Sequence, residues 1–258
     1  MGKALEGKVA LVTGGSRGIG RGIARRLAED GCSVVALTYR SDRDGATQTA
    51  RELEAAGSRA VTVQASLDDP AEIGRLFTTL DSELATLTGD SGLDIVVNNA
   101  GASPQESLAD ATPELFDRTI AINARAPFFV AQAAAGRLRR GGRIVNISSV
   151  YSTHPAKANP IYSMTKAAVN ALSQVLAAEL GPRGVTVNTV APSWTATEAN
   201  ASMRDAASAA VDGFAQGNVL GRMAVPEDIA GVVGLLVSPE ASWLTAQYVE
   251  VDGRWPTD

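Results

Sequence analysis

Cysteine and histidine are nearly missing from this chain of 258 residues, which has one of each, Cys32 and His154. A single cysteine excludes an intramolecular disulfide, and a single histidine leaves no cluster from which to build a zinc site, so the chemistry is expected to run without a metal. Positive charge is in deficit as well. The formal charge is -5 and the pI about 5.1, whereas a protein that tracks phosphates needs a basic face to release counterions. Nucleic acid is set aside as a partner. No apolar run reaches the roughly 18 residues of a membrane helix. Residues 1–6 lack the apolar stretch of a secretory signal, and Glu6 stands where myristoylation wants Ser or Thr. A cytoplasmic protein without a membrane partner is the expectation. Repeats, low-complexity tracts and Pro/Ser-rich linkers are also lacking, so residues 1–258 read as a single domain.

What the chain does have is core material, with 45% hydrophobic and 20% charged residues. Short runs rich in Val and Ile recur at 9–12, 33–38, 60–64, 94–97, 143–147, 185–190 and 248–251. Stretches of helical periodicity lie between them, at 20–29, 43–56, 70–87, 114–138, 161–180 and 226–236. Gly31, Gly57 and Gly181 stand as helix stops. Near-continuous apolar strands imply burial on both faces, which crossover helices provide. The predicted fold class is therefore α/β, a doubly wound parallel sheet of seven strands with helices on both faces. Residues 195–218, rich in Ala and Ser and weakly periodic, are expected to form a mobile substrate lid.

The first run leads directly into Thr13-Gly14-Gly15-Ser16-Arg17-Gly18-Ile19-Gly20 and then a helix. Glycines let the backbone turn sharply beside phosphates, and the helix N-terminus offers free N–H groups and partial positive charge. Gly14, Ser16, Arg17, Gly18, Ile19 and Gly20 are the candidate dinucleotide contacts. At the end of the second run stand Tyr39, Arg40 and Ser41, with no acid to accept from a ribose 2'-hydroxyl. Arg40, Ser41 and Arg17 suit a 2'-phosphate instead, which favours NADP over NAD. Arg17 at a helix N-terminus also opposes the dipole, so an anion is expected to compensate it.

Tyr162 and Lys166, four apart in the 161–180 helix, share a face. An ordinary phenol, with a pKa near 10, is a poor base at neutral pH, but an ammonium within about 4–6 Å favours the phenolate. Lys166 is thus expected to make Tyr162 a useful acid and base.

Read together, TGGSRGIG at 13–20, Asn98-Asn99-Ala100-Gly101, Asn146-Ile147-Ser148-Ser149, Tyr162-x-x-x-Lys166 and Asn188-Thr189-Val190-Ala191-Pro192-Ser193 to Thr197 resemble the short-chain dehydrogenase/reductase family. The resemblance spans about Leu5 to Asp252. It implies a Rossmann fold and hydride transfer between NADP(H) and a ketone or secondary alcohol. It also implies roles: Ser149 donates to the carbonyl oxygen, Tyr162 handles the proton, Lys166 holds the nicotinamide ribose, and Asn123 holds a water that connects the lysine to solvent. Asn98 steadies the central sheet while Ala100 and Gly101 run beside the cofactor. Ser66 and Leu67 flank the adenine, and Pro192, Thr195 and Thr197 lie at the nicotinamide end. Ser66, Ser193, Ala246 and Arg254 depart from the family pattern, which has Asp at the first and Gly at the other three. His154 is assigned to the substrate mouth or the surface rather than to chemistry. A homotetramer follows from the family, aided by Ala-rich faces at 114–138 and 161–180. Two other readings stay open: a 3-oxoacyl-thioester reductase, and a non-catalytic NADP-binding regulator.

Overall fold

The computed structural model describes residues 3–201, 204, 213 and 215–253. Branched and other apolar side chains, which pack well on a pleated surface, dominate most of seven strands. These are β1 (Val9–Val12), β2 (Val34–Tyr39), β3 (Arg59–Gln64), β4 (Leu93–Asn98), β5 (Leu138–Ile147), β6 (Thr186–Pro192) and β7 (Tyr248–Val251). They form one sheet in the order β3-β2-β1-β4-β5-β6-β7, each neighbouring pair parallel. Helices α1 (Gly18–Glu29), α2 (Arg43–Ala55), α3 (Pro70–Thr88), α4 (Pro113–Ile120), α5 (Ala126–Ala135), α6 (Pro160–Leu180) and α7 (Pro226–Val237) accompany it. The doubly wound sheet foreseen from the apolar runs is the one observed.

Successive residues of a strand feed opposite faces. Val9 and Leu11 join one core with Leu76 and Phe77 of α3, Val130 of α5 and Leu176 of α6, while Ala10 and Val12 join a second with Ile23 of α1, Leu53 of α2 and Val233 of α7. Two cores demand strands apolar on both sides, and β1, β2, β4 and β6 are buried along their whole length. β3, at the sheet edge, instead alternates buried Val61 and Val63 with exposed Thr62 and Gln64. A polar seam runs through the middle. Asn98 Nδ2 donates to Asn146 Oδ1 (2.8 Å), Asn146 Nδ2 to Ser173 Oγ (2.8 Å) and Thr189 Oγ1 to the same oxygen (2.7 Å), pinning α6 to β4, β5 and β6.

Two expectations need correction, the helix at 114–138 and the start of β5. The helix foreseen at 114–138 runs from Pro113 to Ala135, widening over Ala121–Arg125 between α4 and α5, and Leu138 already belongs to β5. Pro127 has no N–H for the carbonyl of Asn123, and Ala126 bonds back five residues to Ala121, so the helix widens there. β5 starts early because Leu138 pairs with Leu93, and Gly141 (φ +74) absorbs the bulge before Arg143 pairs with Ile95. The three glycine stops stand where they were expected: Gly31 and Gly57 are left-handed just past α1 and α2, and Gly181 caps α6 before a short turn that ends at Gly184 (φ +71). Of the lid foreseen at 195–218, residues 202–203, 205–212 and 214 lie outside the described residues, and Thr195 forms a parallel bridge with Ala224. No helix among the described residues is long and apolar enough to cross a membrane.

Ala246 is the one described non-glycine residue with positive φ, at +58. Left-handed backbone costs an L-residue roughly 1–2 kcal/mol, partly offset because Gly loses about 0.4–1 kcal/mol more chain entropy on folding. Ala246→Gly is expected to raise stability by about 0.5–1 kcal/mol, read as a higher urea midpoint. An unchanged or lower midpoint would show that the turn carries no strain.

Candidate active site

Because all the strands run the same way, their carboxyl ends share one rim. β1 lies between β2 and β4, so the chain order reverses there and a crevice opens outside the strand ends. The glycine turn fills this position. Gly14 (φ +68) and Gly18 (φ +55) are left-handed, and a Cβ on Gly20 would stand 2.1 Å from the Gly14 carbonyl oxygen. The turn is laced to both neighbouring strands. Gly14 N–H donates to Thr38 Oγ1 (3.0 Å) and Gly15 N–H to Thr38 O (2.9 Å). Asn99 and Ala100 N–H both donate to Thr13 Oγ1 (2.9 and 3.0 Å). Ser16 is buried, Ile19 packs against the core beneath α1, and Arg17, Arg40 and Ser41 are exposed. Tyr39 is buried in the core at the end of β2. The N-terminus of α1 accepts an anion: Gly18 N–H donates to Glu198 Oε2 at 3.0 Å. An outward N–H that takes a carboxylate has the polarity a dinucleotide pyrophosphate would need at this position.

Other expected contacts divide. Gly101 stands beside Lys166, since a Cβ there would lie 3.6 Å from Nζ. Thr197 covers the glycine turn, its Cγ2 3.3 Å from where a Gly18 Cβ would be. Pro192 ends β6, and Thr195 is buried with its hydroxyl donating to Ser193 O (3.0 Å). The Asn98 side chain lies inside the sheet rather than on the rim, which suits steadying strands and not touching a nucleotide. Leu67 points its side chain into the core, and Ser66 is half-buried with its carbonyl taken by Asp69 N–H (3.0 Å). His154 is exposed, its Nδ1 3.0 Å from Thr153 Oγ1 and 3.9 Å from Glu250 Oε1.

The proton-handling group is built where α6 meets the end of β5. Ser149 follows β5 in extended backbone and its Oγ accepts Tyr151 N–H (3.2 Å), leaving the hydroxyl hydrogen for the Tyr162 phenol. Burial pushes that phenol up to about 12, opposed by the Ser149 hydrogen bond; nearby Tyr151 opposes ionisation further. Lys166 is 5% exposed; its Nζ lies 5.6 Å from the Tyr162 ring centroid and donates to Ile147 O at 2.8 Å. Burial pushes the ammonium down to about 8. Desolvation dominates the phenol's shift, and the contact that opposes it is the Ser149 hydrogen bond rather than the expected Lys166 ammonium. At neutral pH the phenol stays protonated, the form that gives a proton to a developing alkoxide. Asn123, fully buried, sits in the wide turn before α5. Its side chain exchanges two hydrogen bonds with the Ala102 backbone (2.8 Å each) and donates to Thr165 Oγ1 (3.1 Å), which ties the loop beside Lys166 to α6.

A protonated phenol and a buried ammonium facing a dinucleotide crevice are the equipment of a nicotinamide-dependent oxidoreductase, and the fold and site assign the chain to that class. A family profile described as enoyl-(acyl carrier protein) reductase matches residues 14–253. The chain belongs to the short-chain dehydrogenase/reductase family. It is similar to the angucycline C-6 ketoreductase LanV, whose crystal structure holds NADP, with 39% identity over 97% of this chain and 96% of that one and a TM-score of 0.92. It is 39% identical to the hydroxynaphthalene reductase-like protein Arp2 of Metarhizium majus over 97% of this chain and 96% of that protein. Versicolorin reductase of Emericella nidulans is 36% identical over 96% of each.

Several participants escaped the sequence reading. Thr13, Thr38 and Asn99 hold the glycine turn by hydrogen bonds, and adjacency to recognised motifs was their only signal. Glu198 reaches Gly18 across 180 residues with no signal at all. Glu106 is a further one. Buried to 7% exposure, it accepts Ile161 N–H at 3.2 Å, satisfying the helix that carries Tyr162. A negative charge at a helix N-terminus stabilises it by about 0.3–1 kcal/mol, more when partly buried. Glu106→Ala is expected to lower stability by about 1–2 kcal/mol and Glu106→Gln by less, measured by urea unfolding. An alanine variant as stable as the parent would show that Glu106 does not secure α6.

Proposed function

We propose that the protein reduces a ketone with NADPH, using Tyr162 as proton donor. The observation that carries this reading is the half-buried Tyr162, its phenol hydrogen-bonded by Ser149 and flanked by Lys166. The nicotinamide, when bound, supplies the hydride. Ser149 orients the carbonyl oxygen by hydrogen bonding as charge builds on it. Tyr162 then delivers its proton to that oxygen, Lys166 holds the nicotinamide ribose, and Asn123 keeps the loop of Gly101 and Ala102 against the lysine. In the oxidative direction the same phenol must first lose its proton, so oxidation is expected to need a higher pH than reduction.

NADP is favoured over NAD by the charge at the end of β2. Arg17, Arg40 and Ser41 are exposed there, and the nearest acid, Asp42, already accepts Gly45 N–H (3.0 Å) as the cap of α2. Neither Arg17 nor Arg40 forms an ion pair among the described residues. Two of the named relatives act, by their names, on an angucycline or a hydroxynaphthalene type of molecule, which supports a fused-ring aromatic ketone as substrate. A carrier-bound 3-oxoacyl thioester is the second reading; the description of the matched family shares its carrier-bound acyl group, though with an enoyl rather than a 3-oxo function. An intact Ser149, Tyr162 and Lys166 disfavours a regulator without turnover. Residues 1–258 acting as one domain, and a lid at 195–218 over the substrate, belong to the same proposal. A cytoplasmic setting accords with Cys32, which is buried and whose thiol burial pushes up to about 12, out of reach of disulfide chemistry.

A homotetramer completes the reading. Phe128 on α5 and Met164 and Val175 on α6 are exposed apolar side chains, as are Leu235, Trp243 and Leu244 near β7. Such surfaces favour self-association. Light scattering at micromolar concentration is expected to give about four times the chain mass of 26.6 kDa; a monomer would contradict it.

NADPH oxidation across a panel of fused-ring ketones and acyl thioesters tests the activity. Tyr162→Phe is expected to cut the rate about 100- to 10,000-fold while NADPH still binds; a variant as active as the parent would remove Tyr162 from the chemistry. The pH profile has a definite sign. Lys166 loses its charge near pH 8 while the phenol stays protonated to about 12, so kcat/KM for reduction is expected to fall as pH rises through about 8. A rate that climbs through that range would contradict the assignment.

A further inference from the structure

Glu198 takes no part in the reduction, yet its carboxylate sits at the mouth of the glycine turn. Oε2 accepts Gly18 N–H at 3.0 Å and Oε1 accepts Arg21 Nη1 at 3.3 Å. Arg21 is itself built into the turn, donating to the Ser16 carbonyl through Nη2 (2.6 Å) and Nε (3.1 Å) and to Thr49 Oγ1 (3.2 Å). The segment that carries Glu198 is braced rather than loose. Thr197 N–H donates to Asn200 Oδ1 (3.0 Å), Asn200 Nδ2 to Thr195 O (2.8 Å) and Ala196 N–H to Ala224 O (2.8 Å). Residues 195–200 therefore form a strap that lays Thr197 over Gly18 and a carboxylate on its N–H.

We propose that Glu198 sets the affinity for the dinucleotide by occupying the N–H that a bound pyrophosphate needs, so that the strap must release Gly18 and Arg21 before the cofactor seats. The inference rests on the reading of the glycine turn as the cofactor site. Two anions cannot share one N–H donor at hydrogen-bonding distance, and their mutual repulsion raises the cost of trying. Binding is an exchange of one anion for another. Apparent affinity is then the intrinsic affinity reduced by the fraction of molecules whose strap has let go. The Glu198 side chain is 55% exposed, so water competes for it and the latch is shallow. A change of roughly two- to fivefold in Kd is the size expected from one such carboxylate at a helix N-terminus. Once released, Arg21 becomes a cation for the incoming phosphates.

The test is NADPH binding to the full cofactor-free chain by titration calorimetry, for the parent, Glu198→Gln and Glu198→Ala, with inorganic pyrophosphate as a second probe. Both variants are expected to bind NADPH more tightly, alanine by roughly two- to fivefold. Inorganic pyrophosphate, which needs the same N–H, is expected to gain in parallel. Melting temperatures without nucleotide control for folding, and the exposed position of Glu198 lets both variants fold. Unchanged or weaker NADPH binding in folded variants would overturn the latch while leaving the cofactor site intact. No NADPH binding by the parent or either variant would overturn the cofactor site itself, and the latch with it.

Discussion

Desolvation of two titratable side chains governs this protein. Lys166 is all but removed from water, and an ammonium there survives only with a partner close by; the carbonyl of Ile147, the last residue of β5, is that partner. Burial also holds the Tyr162 phenol in its neutral form. The surroundings of α6 serve to keep these two groups in register: the Asn98–Asn146–Ser173 seam beneath it, Glu106 at its first turn and Asn123 through Thr165. The result is a neutral phenol held beside a buried ammonium at the end of β5, the arrangement the proposed proton transfer requires.

The second organising fact is that a parallel sheet brings every strand's carboxyl end to one rim. Residues from five separate loops then act as one surface. Thr13 and Thr38 bind the glycine turn to β4 and β2, so the turn has little freedom to open, and the N–H of Gly18 is held outward at the start of α1. A free helix N-terminus attracts an anion, and within this chain the anion is Glu198. The affinity of the cofactor site is then a balance between two negative groups rather than a property of the turn alone.

Departures from the family pattern have local structural answers. Ala246 keeps the left-handed backbone that glycine would adopt without strain. Ser193 ties β6 to the tail, its N–H donating to Val251 O and its hydroxyl to Asp252 O. Both lie at the β7 side of the sheet, away from Tyr162 and Lys166.

Much of this was legible in the amino-acid order, because it depends on neighbours in the chain. Runs of Val and Ile specify strands, glycines at 14 and 18 supply left-handed backbone while Gly20 leaves no room for a Cβ, and a spacing of four puts Tyr162 and Lys166 on one helix face. The widening at Ala121–Arg125 was written there too, in Pro127, but a continuous apolar periodicity concealed it. Tertiary structure alone decided the rest. Whether an ammonium acidifies a phenol turns on what each one touches and how much water is lost, and Ile147 O and Ser149 settle that across the junction of β5 and α6. The carboxylate that lies on Gly18 arrives from the far end of the chain, where hydrogen bonding and electrostatics act through space and leave no mark in sequence spacing.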